Sequence, residues 1–150
     1  MLTDLLLAIG HHLLMLAIVV VLTVEMVLVR PEMTAAQVVW VGRLDIAYGA
    51  IAGLILVVGF GRVFFGLRGW EFYLTNPYFW AKIVAFAVVA GLSAPPTKRI
   101  IGWRTATKAN ANFRPSSGEI RRIRRFMHLE ALVFVSIPIF AAMMARGYGF

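Results

Sequence analysis

The sequence predicts an all-α fold: an integral membrane four-helix bundle with both termini on the non-cytoplasmic side. Three observations predict it. Of the 150 residues, 61% are apolar and only 15% charged, whereas soluble domains carry about 45–50% apolar and about 25% charged residues. The apolar residues gather into four runs, 5–28, 45–65, 77–93 and 126–145, each close to the ~20 residues that cross a hydrocarbon core. Nine of the fifteen Lys and Arg residues fall in the single segment 97–125 between the last two runs. That bias marks the cytoplasmic side of a multi-pass protein.

The first run, Leu5–Leu28, is almost unbroken Leu, Ile, Val and Ala. It opens with Asp4 rather than a basic residue, and no small-residue cleavage site follows it, so it is expected to remain as a span and not to be removed as a signal peptide. The second, Asp45–Phe65, carries Gly49, Gly53, Gly59 and Gly61, which allow a neighbouring backbone to approach. The third starts at Thr75-Asn76-Pro77, a capping residue followed by a proline suited to a first helical turn, and is expected to stop at Pro95-Pro96. The fourth runs from Arg125 to Ala145, is expected to kink at Pro138, and ends at Gly147. The whole chain, 1–150, reads as one transmembrane domain, with 97–125 as a basic cytoplasmic loop. Arg30 and Arg43 add to that side, against Arg62, Arg68 and Arg146 on the other.

The net charge of +8 does not read as a nucleic-acid surface, because the positive charge sits between apolar runs. With no Cys, disulfides, thiolate metal sites and covalently attached haem are excluded. Trp40, Trp70, Trp80 and Trp103 fit interfacial aromatic belts.

Ionisable residues inside the runs are the candidate site, since each is expensive in lipid. At 1.5 Å per residue His11 lies roughly 9 Å in from Leu5 and Lys82 roughly 8 Å in from Pro77. Arg62 is near the same end of span two. His11, His12, Arg62 and Lys82 therefore share a level on three helices. His128 lies about 15 Å away along the membrane normal and cannot share a metal with them. Successive helical residues point about 100° apart, so only one of the two histidines can face inward. His11 falls within about 40° of Glu25, a carboxylate that should avoid lipid, and His12 about 140° from it, so His11 is the better inner candidate and Met15 shares its face. Plainer readings stand beside these: histidines bonded across the bundle, Lys82 and Arg62 reaching the interface, and Glu25 and Asp45 pairing with Arg43 or His128.

A His, a Lys and an Arg at one depth suit haem b: imidazole and amine as axial ligands, guanidinium on a propionate. The segments IGHHLL, TVEMVLVR, LDIAYG, GFGRVFF, GWEFYLTNPYFWAKIVAF and AMMARGYG resemble a family of small bacterial membrane proteins of unassigned function, over essentially the whole chain. That family is more distantly similar to HemJ-type protoporphyrinogen oxidases and CopD-type copper-resistance membrane proteins. The HemJ resemblance implies haem b ligated through His11, with His12 as fallback, and Lys82.

The leading expectation is an inner-membrane b-type haem protein of redox function, an electron carrier or oxidoreductase, exchanging electrons with quinone or another partner. The alternative is copper binding or transport through His11, Met15, Met143 and Met144, imidazole and thioethers being suited to Cu(I). The third reading is a structural or partner-binding bundle whose basic segment anchors to acidic membrane lipids. Whether the chain catalyses a reaction or forms a homo-oligomer is left open by the sequence.

Overall fold

The computed structural model describes residues 1–149. It contains five helices: α1 (Leu2–Leu28), α2 (Ala35–Phe65), α3 (Gly69–Thr75), α4 (Pro77–Ala109) and α5 (Ser117–Ala145). The four long ones are apolar and long enough to cross a membrane. The predicted four-span bundle is therefore present, with α3 as an additional short helix between the second and third spans.

Local sequence sets most helix starts. Thr34 accepts from the Gln37 amide while the Gln37 side chain accepts from the Thr34 N–H, and Ser116 and Glu119 form the same reciprocal pair at α5. Asn76 caps α4 by accepting from the Tyr78 amide at 2.9 Å, with Pro77 in the first turn. The end of α1 is closed from outside: Arg124 of α5 donates to the carbonyls of Met26 at 3.0 Å and Val29 at 2.7 Å. A guanidinium there satisfies orphan carbonyls and complements the helix dipole.

Two sequence expectations are corrected. The third span does not stop at Pro95-Pro96; α4 continues to Ala109 with both prolines inside it. Each proline removes one backbone hydrogen bond, but beyond them Ile100 and Trp103 are buried in one core with Ile120, Ile123 and Met127 of α5. Burial of that second half holds the helix through the break. Most of 97–125 is consequently helical, with the turn confined to 110–116. Trp103, 3% exposed, is a core residue, whereas Trp40, Trp70 and Trp80 are exposed.

Around the bundle, α1 packs on α2, α2 on α4, and α4 on α5, with a slighter α5–α1 contact closing the ring. Thus α1 faces α4, and α2 faces α5, across the diagonals. The outward surface is apolar, with Leu13, Leu16, Val57 and Leu132 60–71% exposed. Glu25, Asp45 and Glu130 are by contrast buried. Such a distribution suits lipid, where the outer surface meets hydrocarbon and polar groups turn inward. The Tyr48 hydroxyl of α2 donates to Glu130 of α5 at 2.5 Å across the diagonal.

Interhelical hydrogen bonds in membranes contribute about 0.5–2 kcal/mol. Tyr48→Phe is expected to destabilise the bundle by about that amount, because Glu130 loses its donor while staying buried. Unfolding in mixed micelles checks this; an unchanged midpoint would show that the diagonal bond does not hold the helices.

Candidate functional site

At the end of the bundle that holds both termini, α1, α2 and α4 each present one polar side chain. His11 is half-buried and His12 exposed, with the His12 Nδ1–H donating to the Ala8 carbonyl at 2.6 Å. The inward face of α1 is therefore the His11 face. The His11 ring lies against Gly59 of α2, where a Cβ would come within 3.3 Å of its Cε1. Absence of a side chain at 59 gives the imidazole its seat.

Arg62, one turn further along α2, and Lys82 of α4 both act electrostatically on His11, and Arg62 acts on Lys82. His11 Nδ1 and Arg62 Nε are buried without a hydrogen-bond partner. Lys82 Nζ lies 5.1 Å from the centroid of the Phe79 ring, a cation–π contact. The single ion pair among the described residues is Arg99–Glu119, far along the chain. Among the described residues no carboxylate lies within ion-pair distance of Arg62 or Lys82. Two half-buried cationic groups and an imidazole thus stand within one another's fields without an ion-pair partner among the described residues. The arrangement complements an anionic ligand able to use an imidazole nitrogen.

A corner of packed chain covers this end. Asn76 is fully buried and donates through Nδ2 to the Tyr148 carbonyl at 3.0 Å; Arg68 donates to the Ala145 carbonyl at 3.3 Å. Gly149 adopts φ +96°, and a Cβ there would press on the Pro77 ring at 2.9 Å, so glycine fits both its conformation and its contact. The NPYFW and ARGYG segments, 70 residues apart, are two halves of one joint. Val63, Tyr73, Phe79 and Met144 fill the apolar space beneath it. Met144 is thus packed among hydrocarbon and aromatic groups, and Met15 packs against the main core.

Toward the basic-loop end lies a second polar layer. Glu25 (α1), Asp45 (α2) and Glu130 (α5) are all buried, and the fields of Asp45 and Glu130 both reach Glu25. Asp45 accepts from the Thr97 hydroxyl at 2.7 Å. The suggested pairings with Arg43 and His128 do not form: Arg43 stacks on Trp40, and the His128 Nδ1–H donates to the Arg124 carbonyl. Sequence reasoning missed Glu130, Tyr48, Thr97 and Arg104. Glu130 and Tyr48 could have been found as polar residues inside a span. Thr97 and Arg104 were hidden by ending the helix at Pro95. His128 is exposed, away from the His11 group. No cluster of three or more His, Asp or Glu side chains able to hold a metal occurs among the described residues.

Compared with known proteins, residues 3–149 match the family described as "Predicted membrane protein (DUF2214)". No curated protein and no solved structure matches the chain, so these comparisons lend no support to the HemJ-type or CopD-type similarity.

An uncompensated charge kept for a ligand costs stability when the ligand is absent. Lys82→Met is therefore expected to raise the stability of ligand-free protein by about 1–2 kcal/mol. Thermal unfolding in detergent measures this; an unchanged or lower midpoint would mean that Lys82 already reaches water or a partner.

Proposed function

We propose that this chain, which belongs to the DUF2214 family of membrane proteins, is a b-type haem protein of the bacterial inner membrane with a redox role. The observation that carries this reading is that His11, Arg62 and Lys82 act on one another without an ion-pair partner among the described residues. Haem iron can be held by nitrogen donors from protein side chains. His11 and Lys82, from helices on opposite corners, would be those donors, with His12 the fallback for the first. Gly59, against which the His11 ring lies, is on α2, which packs against both α1 and α4. Arg62 would hold a propionate through charge-assisted hydrogen bonds. When bound, the haem supplies one-electron chemistry, which the protein tunes through ligand identity and burial. His11 Nδ1 is buried and has no hydrogen-bond partner among the described residues.

In this reading the His11 end faces the periplasm and the basic end the cytoplasm, following the asymmetry of Lys and Arg. A lipid-soluble quinone is the natural electron partner for a redox group embedded in the bilayer, and the basic segment meets acidic lipid headgroups.

The test is the absorption spectrum of detergent-purified protein from haem-replete cells, oxidised and dithionite-reduced, beside His11→Ala and Lys82→Ala. A Soret band that shifts on reduction and is lost or displaced in both variants is the expected result. A colourless wild type carrying stoichiometric copper would replace haem with the copper reading, and a colourless metal-free one would overturn both. For orientation, single cysteines introduced at positions 3 and 112 should react with an impermeant maleimide in intact spheroplasts at position 3 only; the reverse pattern would invert the topology.

A further inference from the structure

Between α2 and α4, on the basic-loop side of the His11 group, lies a cleft of about 520 Å³. That volume falls within the ~300–1,000 Å³ of small-molecule sites. It is roomy because its walls carry small residues, Gly49 and Ala50 on one side and Ala90 and Ser93 on the other. Its rim includes Ile46 and Ile101, 57% and 53% exposed on the apolar outer surface, so entry is from lipid rather than from water.

The cleft is polar at one end. Asp45 accepts from Thr97 through Oδ1 and leaves Oδ2 without a partner. Arg104 lies across the Gly42 backbone, where a Cβ would overlap its Cδ, and makes only a long 3.5 Å contact to the Gly42 carbonyl. Its field reaches Asp45, yet the two form no ion pair. A hydrogen-bond acceptor and a five-donor guanidinium therefore stand apart across one space with capacity to spare. From Arg104 the cleft follows α4 back to Phe86, about 27 Å at 1.5 Å per residue, lined between Ser93 and Phe86 by Ala90 and Val89. Phe86 is one helical turn from Lys82.

We propose that this cleft binds a lipid-soluble quinol, its ring held between Asp45 and Arg104 and its hydrocarbon tail lying along α4. A ring with oxygens at opposite edges bridges two separated polar groups of opposite character: a hydroxyl donates to Asp45 Oδ2, and the far oxygen accepts from Arg104. A phospholipid phosphate is disfavoured, since it would meet the Asp45 carboxylate. The assignment of this ligand as electron partner rests on the haem reading; the cleft's complementarity to the ring does not.

The test is anaerobic titration of protein in nanodiscs with short-tail ubiquinol and menaquinol analogues, followed by calorimetry, on haem-free and haem-loaded preparations alike. Saturable one-to-one binding is expected in both. Asp45→Asn and Arg104→Gln each remove one hydrogen bond to the ring and should weaken binding about tenfold. Ala90→Leu, which fills the cleft while leaving both polar groups, should abolish it. No saturable binding, equal affinity in all three variants, or equal displacement by a phospholipid of matched chain length would each overturn the proposal. The haem reading is judged separately by the absorption spectrum, so either can fail alone.

Discussion

The hydrogen bond from Tyr48 to Glu130 spans the bundle diagonal, and the rest of the structure is arranged around what it requires. In lipid there is no hydrophobic force between helices, because the surrounding chains are as apolar as leucine. Helix positions are then decided by close packing and by polar groups that have to find one another. A hydroxyl of α2 reaching a carboxylate of α5 passes between α1 and α4 and fixes the inner faces of all four. Once that face of α5 is inward, Ile123, Met127, Phe134 and Ile137 follow at helical spacing and form its core stripe.

The same constraint gives meaning to the polar groups that lack partners. Along the diagonal, Tyr48 and Glu130 satisfy each other, and Thr97 satisfies one oxygen of Asp45. At the other end of the bundle, His11 Nδ1 and Arg62 Nε have no hydrogen-bond partner among the described residues, and Lys82 lies over the Phe79 ring. A bundle stabilised only by packing would gain from replacing these three groups with hydrocarbon. They lie at the end of the bundle where Asn76 and Arg68 bond to the C-terminal segment through the Tyr148 and Ala145 carbonyls.

The two polar layers also differ in access. The His11 group lies beneath the α3 corner, against the Gly59 face of α2. The Asp45–Arg104 cleft opens sideways between apolar rim residues. Helix α4 joins the two layers, since Phe86 of the cleft stands one turn from Lys82.

Much of this was fixed by local chemistry readable along the chain. Apolar runs of membrane length give the spans, Asn76-Pro77 starts α4, and the angular spacing from Glu25 turns His11 inward and His12 outward, as the structure has them. Only the tertiary structure decided the remainder. Proline in α4 is a local stop signal, overridden because Ile100 and Trp103 are buried against α5. Asp45 pairs with Thr97 rather than Arg43 because the helix beyond the prolines carries Thr97 to it. Asn76 meets Tyr148, and Tyr48 meets Glu130, across separations of 72 and 82 residues. Spacing along a chain sets which way a side chain leaves its own helix. Which partner it meets depends on how whole helices are placed, and that placement is settled by all the buried contacts together.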